Sequence, residues 1–307
     1  MRVYVTGGGL GFIGGHVVRV LRERGIEVAD EYVDVLDGPG LERAMRGCDA
    51  VLHVAALYSY EPGDGAAPAR VNIEGTKTVL AAASRAGIGR VVHTSSAGTC
   101  GPVAGRPATE DDAPPEWELA VPYKRTKLEA ELLALAAGAI VVNPTTPVGE
   151  GDERPTPTGA MIRGVASGRF HGFIASTGLN VVDVHDVAVG HALALERGRP
   201  GERYLLGGVD MGLGDFFALV ARAAGRRPPP LRVPYAAARA AAALRLVNAN
   251  EVALARLPMF FSSGKAEREL GYRRSPIEPA IARAVAAAMG SPTRSARRAR
   301  EGAGLPG

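Results

Sequence analysis

The 307-residue chain has only two cysteines, few aromatic residues and no long hydrophobic run. Cys48 and Cys100 lie far apart and lack the spacing of metal ligands, so we expect no metal site and a reducing compartment, the cytoplasm. Because no run of about 18 apolar residues is present, we expect no membrane partner. The first residues alternate like a strand, so they do not resemble a signal peptide.

Charge of one sign is also scarce. The 36 basic and 32 acidic residues give a formal net charge of +4. Residues 291–307 contain four arginines and show no apolar periodicity. We predict a disordered basic tail there, with a nucleic-acid-binding arm as the alternative. The modest net charge leads us to expect no nucleic-acid partner.

What the sequence does contain is a regular alternation of short apolar runs and helical patterns. Strands are predicted at 2–6, 26–28, 50–54, 90–94, 140–143 and 204–206, and helices at 14–24, 41–46, 72–86, 123–137 and 186–197. This alternation is typical of an α/β fold with a doubly wound parallel sheet. After about residue 143 the connections become rich in proline and glycine, which predicts a smaller C-terminal lobe.

A glycine-rich turn joins the first strand to the first helix. Gly8, Gly11 and Gly14 fit the pattern G-x-x-G-x-x-G, which lets a dinucleotide pyrophosphate reach backbone N–H groups at a helix N-terminus. The segment TGGGLGFIG has one residue more after Thr6 than we expect, so the register of Gly7 and Gly8 is open.

We therefore predict a Rossmann-type domain that binds NAD(P). Residues 1–145 are assigned mainly to this domain, with later elements returning to it. Residues 146–290 are assigned mainly to the substrate-binding lobe, which closes over a cleft.

A tyrosine and a lysine one helical turn apart are the strongest catalytic signal. A phenol has an unperturbed pKa of about 10, and an ammonium at i+4 favours the phenolate and lowers that pKa. Tyr123 and Lys127 have this spacing in VPYKRTKLEAE. The hydroxyl run Thr94-Ser95-Ser96 follows the apolar run RVVH, and a parallel strand presents ligands at its C-terminal end. A serine there can orient a substrate carbonyl while the tyrosine transfers a proton.

With these residues in this order, the chain resembles the extended short-chain dehydrogenase/reductases, or NAD-dependent epimerase/dehydratases, and within them the dihydroflavonol reductase-like and hopanoid-associated sugar epimerase-like branch. The resemblance covers nearly the whole chain and includes GFIG, CDAVLHVAA, VNIEGTKTVL, RVVHTSSAGT and PYKRTKLEAE. It implies a catalytic triad of Ser96, Tyr123 and Lys127, with Lys127 also holding the nicotinamide ribose. The cofactor-contacting residues that it implies, besides the turn glycines, are Phe12, Ile13, Asp34, Val35, Ala55, Ala56, Asn143 and Val148.

The chain departs from that family between residues 28 and 34. Loop lengths suggest that roughly 15–20 residues are missing there, in the segment that selects the cofactor. An acidic residue near this point binds ribose hydroxyls in NAD enzymes, whereas an arginine accepts the 2′-phosphate of NADP. Asp30 and Tyr32 are the available candidates, so the choice between NAD and NADP is open.

Other polar clusters are assigned structural roles. In VVDVHDVA we expect Asp186 to cap a helix at a strand-to-helix corner, rather than a metal site. The acidic run 110–112 is expected to be a solvated turn, and His53 and His93 are expected to be structural.

Three functions stay open on the sequence alone. The first is an NAD(P)-dependent oxidoreductase that reduces a ketone or oxidises a secondary alcohol on a small sugar-like or polyketide-like substrate. The second is a nucleotide-sugar epimerase that retains NAD, and the third is a non-catalytic nucleotide-binding protein with the shortened adenosine segment. By analogy, a homodimer through the helices at 72–86 and 123–137 is plausible.

Overall fold

The computed structural model describes residues 1–57 and 66–290, so the tail predicted at 291–307 lies outside the described residues. The strands are β1 Arg2–Val5, β2 Glu27–Ala29, β3 Ala50–His53, β4 Val91–Thr94, β5 Ile140–Pro144, β6 Thr146–Val148, β7 Gly172–Ile174, β8 Gly178–Asp183, β9 Arg203–Leu206, β10 Val209–Gly212 and β11 Leu231–Val233. The helices of the first half are α1 Phe12–Glu23, α2 Gly38–Met45, α3 Ala66–Ala69, α4 Gly75–Arg85, α5 Glu116–Leu119 and α6 Pro122–Ala136. Those of the second half are α7 Pro157–Ala166, α8 Val184–Arg197, α9 Leu213–Ala223, α10 Tyr235–Ala243, α11 Ala249–Leu254, α12 Gly264–Leu270 and α13 Ile277–Gly290.

The main sheet has six parallel strands in the order β2-β1-β3-β4-β5-β9. All six strands and five helices predicted from the sequence are present, with ends shifted by one to three residues. A π-helical turn, Arg70–Glu74, joins α3 to α4. Gly25 follows α1 with φ of +73°, as expected for a helix C-terminus. The predicted doubly wound α/β fold is confirmed.

The two faces of the main sheet bury separate apolar cores. Val3, Val5 and Leu52 face α1 and α8 in one core, whereas Tyr4 and Val51 face α2 and α4 in the other. Neighbouring residues of one strand therefore enter opposite cores, because side chains alternate along a strand. Burial on both faces explains why these strands read as continuous apolar runs.

The second half of the chain builds smaller sheets but also returns to the main one. Strand β9 pairs with β5, and α8 packs on the face that carries α1. A three-stranded sheet has the order β10-β8-β6, and a two-stranded sheet pairs β11 with β7. Helices α7, α9 and α13 share a third apolar core with this part of the chain.

The shortened segment leaves β2 at the edge of the main sheet. This strand has three residues, and α2 begins at Gly38 after a stretch without regular structure. Within the described residues, no strand pairs with the outer side of β2. Among the described residues, β2 is therefore the edge strand on this side of the main sheet.

Candidate active site

The additional residue of the glycine turn is accommodated in a short 3-10 helix, Thr6–Gly9. The glycines of this helix have left-handed backbone angles. Gly8 and Gly9 have φ of +59° and +69°, values that only glycine adopts readily. A Cβ on Gly8 would lie 2.6 Å from the carbonyl oxygen of Asp30, and one on Gly9 would lie 2.9 Å from Val18 Cγ2. The turn is thus packed between the end of β2 and α1.

The N-terminus of α1 is open for an anion. Gly11 is the N-cap, is exposed, and has no atom within 4 Å of where its Cβ would be. Among the described residues, no side chain caps this helix, so its first N–H groups are available to such a ligand. An anion such as a pyrophosphate is stabilised at such a helix end by these donors and the helix dipole. Gly14 is buried against Gly9, and Ile13 packs against the core.

The end of β3 is tied to the same turn. Thr6 Oγ1 accepts hydrogen bonds from the backbone N–H groups of Val54 and Ala55, at 3.0 and 3.1 Å. A Cβ on Gly7 would lie 3.4 Å from Ala55 Cβ. The predicted cofactor residues Ala55 and Ala56 therefore border the glycine turn, where Ala55 is half-buried and Ala56 is exposed.

The segment after β2 lies beside the other side of the turn. Asp30 forms an ion pair of 3.1 Å with Arg22. Asp34 is exposed and accepts a hydrogen bond from Leu36 N at 2.9 Å. The Val35 side chain is buried against Gly75, so only its backbone could face a nucleotide.

Tyr123 and Lys127 lie on α6 beside the end of β4. The Lys127 Nζ donates a 2.7 Å hydrogen bond to the carbonyl oxygen of Thr94, two residues before Ser96. Burial lowers the pKa of Lys127 to about 8, opposed by the charge of Glu131. Tyr123 is also buried, with 7% of its surface exposed. Ser96 is half-buried, and its Oγ accepts a 3.3 Å hydrogen bond from Gly98 N.

A buried polar network contacts the turn that follows Ser96. The sequence analysis did not predict this network. The Glu131 carboxylate accepts hydrogen bonds from Thr99 Oγ1 at 2.6 Å, Asn143 Nδ2 at 2.7 Å and Arg203 at 2.8 Å. Asn143 Nδ2 also lies 3.2 Å from the carbonyl oxygen of Ser96. Thus the Asn143 side chain, predicted beside the nicotinamide, points into this network. The only sequence signal was the i+4 spacing of Lys127 and Glu131.

One structural assignment made from the sequence is wrong, and a second holds only in part. The N-cap of α8 is Asp183, whose side chain accepts from His185 N at 2.9 Å, whereas Asp186 accepts hydrogen bonds from Ser275. The run 110–112 is not simply solvated, because Glu110 is buried and accepts a 2.7 Å hydrogen bond from Leu205 N. Long-range packing, which local sequence does not encode, decided both.

His53 and His93 lie side by side on β3 and β4 behind the site. Their ring centroids are 5.1 Å apart, and His53 bonds to Thr6 and Thr76 through its two ring nitrogens at 3.0 Å. Burial lowers the pKa of His53 to about 3 and that of His93 well below its usual value, and the charge of Lys127 adds to both shifts. Both rings are therefore neutral, consistent with structural roles.

A cavity of about 140 Å³ separates the start of α1 from the second half of the chain. Phe12 and Val148, both predicted cofactor contacts, line it together with Asp152 and Arg163. His16 of α1 also connects the two halves of the chain through a 2.9 Å hydrogen bond to the carbonyl oxygen of Glu150. The glycine turn and the second half of the chain thus face each other across a small cleft.

Residues 3–207 match the NAD dependent epimerase/dehydratase family. The chain belongs to this family. A Synechocystis protein named after dihydroflavonol 4-reductase is 35% identical over 92% of this chain and 93% of its own length. A 4-hydroxy-2-methyl-3-oxo-4-farnesyl-3,4-dihydroquinoline-1-oxide ketoreductase of Stigmatella aurantiaca is 33% identical over 89% of this chain and 92% of its own.

A solved structure named gox2253 is similar throughout, with a TM-score of 0.82, 36% identity and coverage of 93% of this chain and 97% of that one. The protein is an NAD(P)-dependent enzyme of the extended short-chain dehydrogenase/reductase type, with oxidoreductase chemistry. The alternative of a non-catalytic nucleotide-binding protein is therefore not retained. No helix among the described residues is both long and apolar enough to cross a membrane.

Proposed function

We propose that the chain reduces a ketone, or oxidises the corresponding secondary alcohol, on a small sugar-like or polyketide-like substrate. The observation that supports this most strongly is the hydrogen bond from Lys127 to the carbonyl oxygen of Thr94. It joins the helix that carries Tyr123, one turn earlier, to the strand that leads into Ser96. On this basis we assign Ser96, Tyr123 and Lys127 to one site at the C-terminal edge of the parallel sheet, where α/β enzymes bind ligands.

Each member of the proposed triad has a distinct role. Tyr123 donates a proton to the substrate oxygen in reduction and accepts one in oxidation. Ser96 orients that oxygen by hydrogen bonding and stabilises the negative charge that develops on it. Lys127 favours the phenolate form of Tyr123 and holds the nicotinamide ribose. Bound NAD(P) supplies or accepts the hydride.

The residues of the glycine crevice fit a dinucleotide. We assign the pyrophosphate to the N-terminus of α1, because its N–H groups are uncapped and Gly11 leaves space. The proposed cofactor contacts are Gly8, Gly11, Phe12, Ile13, Gly14, Asp34, Val35, Ala55, Ala56, Lys127, Asn143 and Val148. For Asn143 and Val35 we assign backbone atoms, since both side chains point into the protein.

An NAD-retaining sugar epimerase is the second candidate. The family match names epimerases and dehydratases together, and the same triad could oxidise and re-reduce one carbon. A dehydratase would need acid–base residues beside Ser96, and the turn SSAGTCG has no carboxylate.

The decisive experiment is the nucleotide profile of the purified protein combined with turnover by Tyr123→Phe. We expect exchangeable nucleotide and consumption of NADH or NADPH with a ketone panel. Tightly retained NAD without net consumption would favour the epimerase. Tyr123→Phe should lower kcat by about 10²–10⁴-fold while nucleotide affinity stays within about threefold. Wild-type turnover by Tyr123→Phe would exclude Tyr123 as the proton donor.

We further propose that residues 1–145 mainly bind the dinucleotide and that residues 146–290 mainly form the substrate lobe. The separate apolar core around α7, α9 and α13 supports this division, as does the cleft beside Phe12. Both cysteines are free and buried, which favours the reducing cytoplasm. Burial raises the pKa of the Cys100 thiol to about 12, so it is not assigned as a nucleophile.

The homodimer is proposed through α4 and α6, which pack against each other. Leu132 of α6 is 56% exposed. A cavity of about 280 Å³ opens beside this helix between Ile73, Leu119 and Pro122. Light scattering of Leu132→Glu should show a shift toward monomer relative to the wild type.

A further inference from the structure

The solvent-facing side of α10 is apolar. Successive helix residues are rotated by about 100°, so the buried Ala238 marks the side of α10 that packs on the protein. The opposite side is exposed and carries Ala236, Ala237, Ala240, Ala243 and Leu244. The chain continues after the helix with Leu246 and Val247, which are 73% and 46% exposed. An exposed helix face normally carries polar residues, so this one is unusual. We call the exposed residues of 231–247 the α10 surface.

The segment around the α10 surface has charge of one sign. Residues 216–250 contain six arginines and no aspartate or glutamate. Strand β7 pairs with β11, which directly precedes α10, and it lies in a stretch, 154–182, that also lacks carboxylates. The six arginines are all exposed, and they are Arg222, Arg226, Arg227, Arg232, Arg239 and Arg245. No anionic side chain of this segment offsets their charge.

These arginines also lack partners that would explain them structurally. Among residues 1–57 and 66–290, none of their side chains forms an ion pair or a hydrogen bond. Arginines elsewhere in the chain differ, since Arg22, Arg85 and Arg283 each pair with a carboxylate. The guanidinium groups of the α10 surface are therefore available to an external anion.

Arg245 lies between the exposed leucines at a cost to the backbone. It follows α10 with φ of +57°, the one positive value at a non-glycine position in the described part of the chain. Glycine adopts such an angle without steric strain. Gly25, Gly87 and Gly138 occupy the equivalent place after α1, α4 and α6. An arginine at this place adds a cation to an apolar surface while making the helix end less favourable.

We propose that the α10 surface docks on the surface of an anionic lipid bilayer. Anionic headgroups over acyl chains combine negative charge with an apolar layer, which matches exposed leucines between arginines. Nucleic acid offers the charge without the apolar layer. The segment 291–307 carries four arginines, so like charge disfavours it as the occupant. A second copy in a symmetric contact would place arginines against arginines.

The lack of a long apolar run does not conflict with this docking. That observation led us to expect no membrane partner, because a spanning helix needs about 20 apolar residues. A surface that lies on the bilayer needs only a short apolar face with basic residues at its edge. Docking also does not depend on which reaction the chain catalyses.

Co-sedimentation of the full chain with lipid vesicles tests the proposal. The vesicles are phosphatidylcholine with about one-third phosphatidylglycerol, and phosphatidylcholine alone. We expect binding at least about tenfold tighter to the anionic vesicles, with most of it lost between about 0.1 and 0.5 M NaCl. Val247→Glu should weaken this binding at least about tenfold, because it replaces an apolar contact by a repelled carboxylate. Val209→Glu makes the same change at an exposed valine of β10 and should stay within about twofold of the wild type.

Arg245→Gly separates docking from folding. It should raise Tm, because glycine fits the positive φ, and yet weaken binding to the anionic vesicles about fivefold. Arg43→Gln removes an exposed arginine of α2 and should leave vesicle binding within about twofold. Equal binding to both vesicle types, no binding to either, or wild-type binding by Val247→Glu would overturn the proposal. Binding to duplex DNA but not to vesicles would also overturn it, since the arginines would then serve nucleic acid.

Discussion

Lys127 donates a 2.7 Å hydrogen bond from its ammonium to the main-chain carbonyl oxygen of Thr94. The bond connects residues 33 positions apart in sequence, and it orients α6 against the end of β4. It fixes the lysine side chain at a site where the ammonium would otherwise be costly to bury.

The protonation of Lys127 should appear in the pH dependence of activity. Burial lowers its pKa to about 8, so the lysine is charged below that pH and neutral above it. If its charge supports Tyr123, kcat/KM for reduction should fall above pH 8, since this parameter reports the free enzyme. In Lys127→Arg the guanidinium stays charged, so the pH at which kcat/KM begins to fall should rise by at least about one unit. If kcat/KM of this variant still falls near pH 8, the decrease reports the titration of another group.

Asp30 should influence the choice between NAD and NADP. Asp30 follows β2 with its main-chain carbonyl oxygen beside Gly8, and its carboxylate pairs with Arg22 at 3.1 Å. Removing the carboxylate leaves the arginine free to attract a 2′-phosphate. Asp30→Asn should raise the ratio of kcat/KM for NADPH over NADH by about tenfold or more, equivalent to about 1.4 kcal/mol.

The exposed neighbour Glu31 provides the control, and Glu31→Gln should leave the cofactor ratio within about twofold. An unchanged ratio in Asp30→Asn would show that the adenosine ribose is bound elsewhere.

The network around Glu131 should carry much of the stability of the site. Glu131→Ala removes the acceptor of three hydrogen bonds and leaves Arg203 without its buried partner. Breaking a buried pair in this way typically costs about 3–5 kcal/mol. Urea denaturation should show this loss, whereas Glu23→Ala at an exposed position of α1 should change the free energy of unfolding by less than about 0.5 kcal/mol. Similar midpoints for the two variants would contradict this account.

Three buried histidines should make the protein sensitive to acid. Burial lowers the pKa of His53 to about 3, that of His191 to about 4, and that of His93 well below its usual value. In the unfolded chain these groups take up protons near pH 6.5. Their contribution to stability is therefore complete above about pH 6.5 and is lost as the pH falls from there toward 4.

Each histidine should steepen the loss by about 1.4 kcal/mol per pH unit. Denaturation at pH 7.5, 6 and 5 should show a shallower dependence in His93→Leu than in the wild type. His171→Asn, at an exposed position, should retain the wild-type slope. If His93→Leu and the wild type lose stability with the same pH slope, His93 takes up its proton equally in the folded and the unfolded protein. That result would contradict the lowered pKa of His93.

The sequence alone determined which segments form the strands and helices of the parallel main sheet. Continuous apolar runs such as 50–53 and 140–142 encode strands buried on both faces, and glycines after Val5 encode a turn that other residues could not form. These are local properties, set by backbone sterics and by the period of apolar residues. The sequence also predicted the proposed catalytic triad of Ser96, Tyr123 and Lys127.

Only the tertiary structure decided which polar side chains meet. The local pattern predicts a solvated turn for Glu110 and a helix cap for Asp186. They join buried networks because residues far apart in sequence pair across the sheet edge. Lys124 likewise lies where a side chain at position 98 would lie, and its ammonium pairs with the carboxylate of Glu118. Burial makes such contacts strong and specific, since the dielectric is low and water cannot substitute, but no local pattern records them.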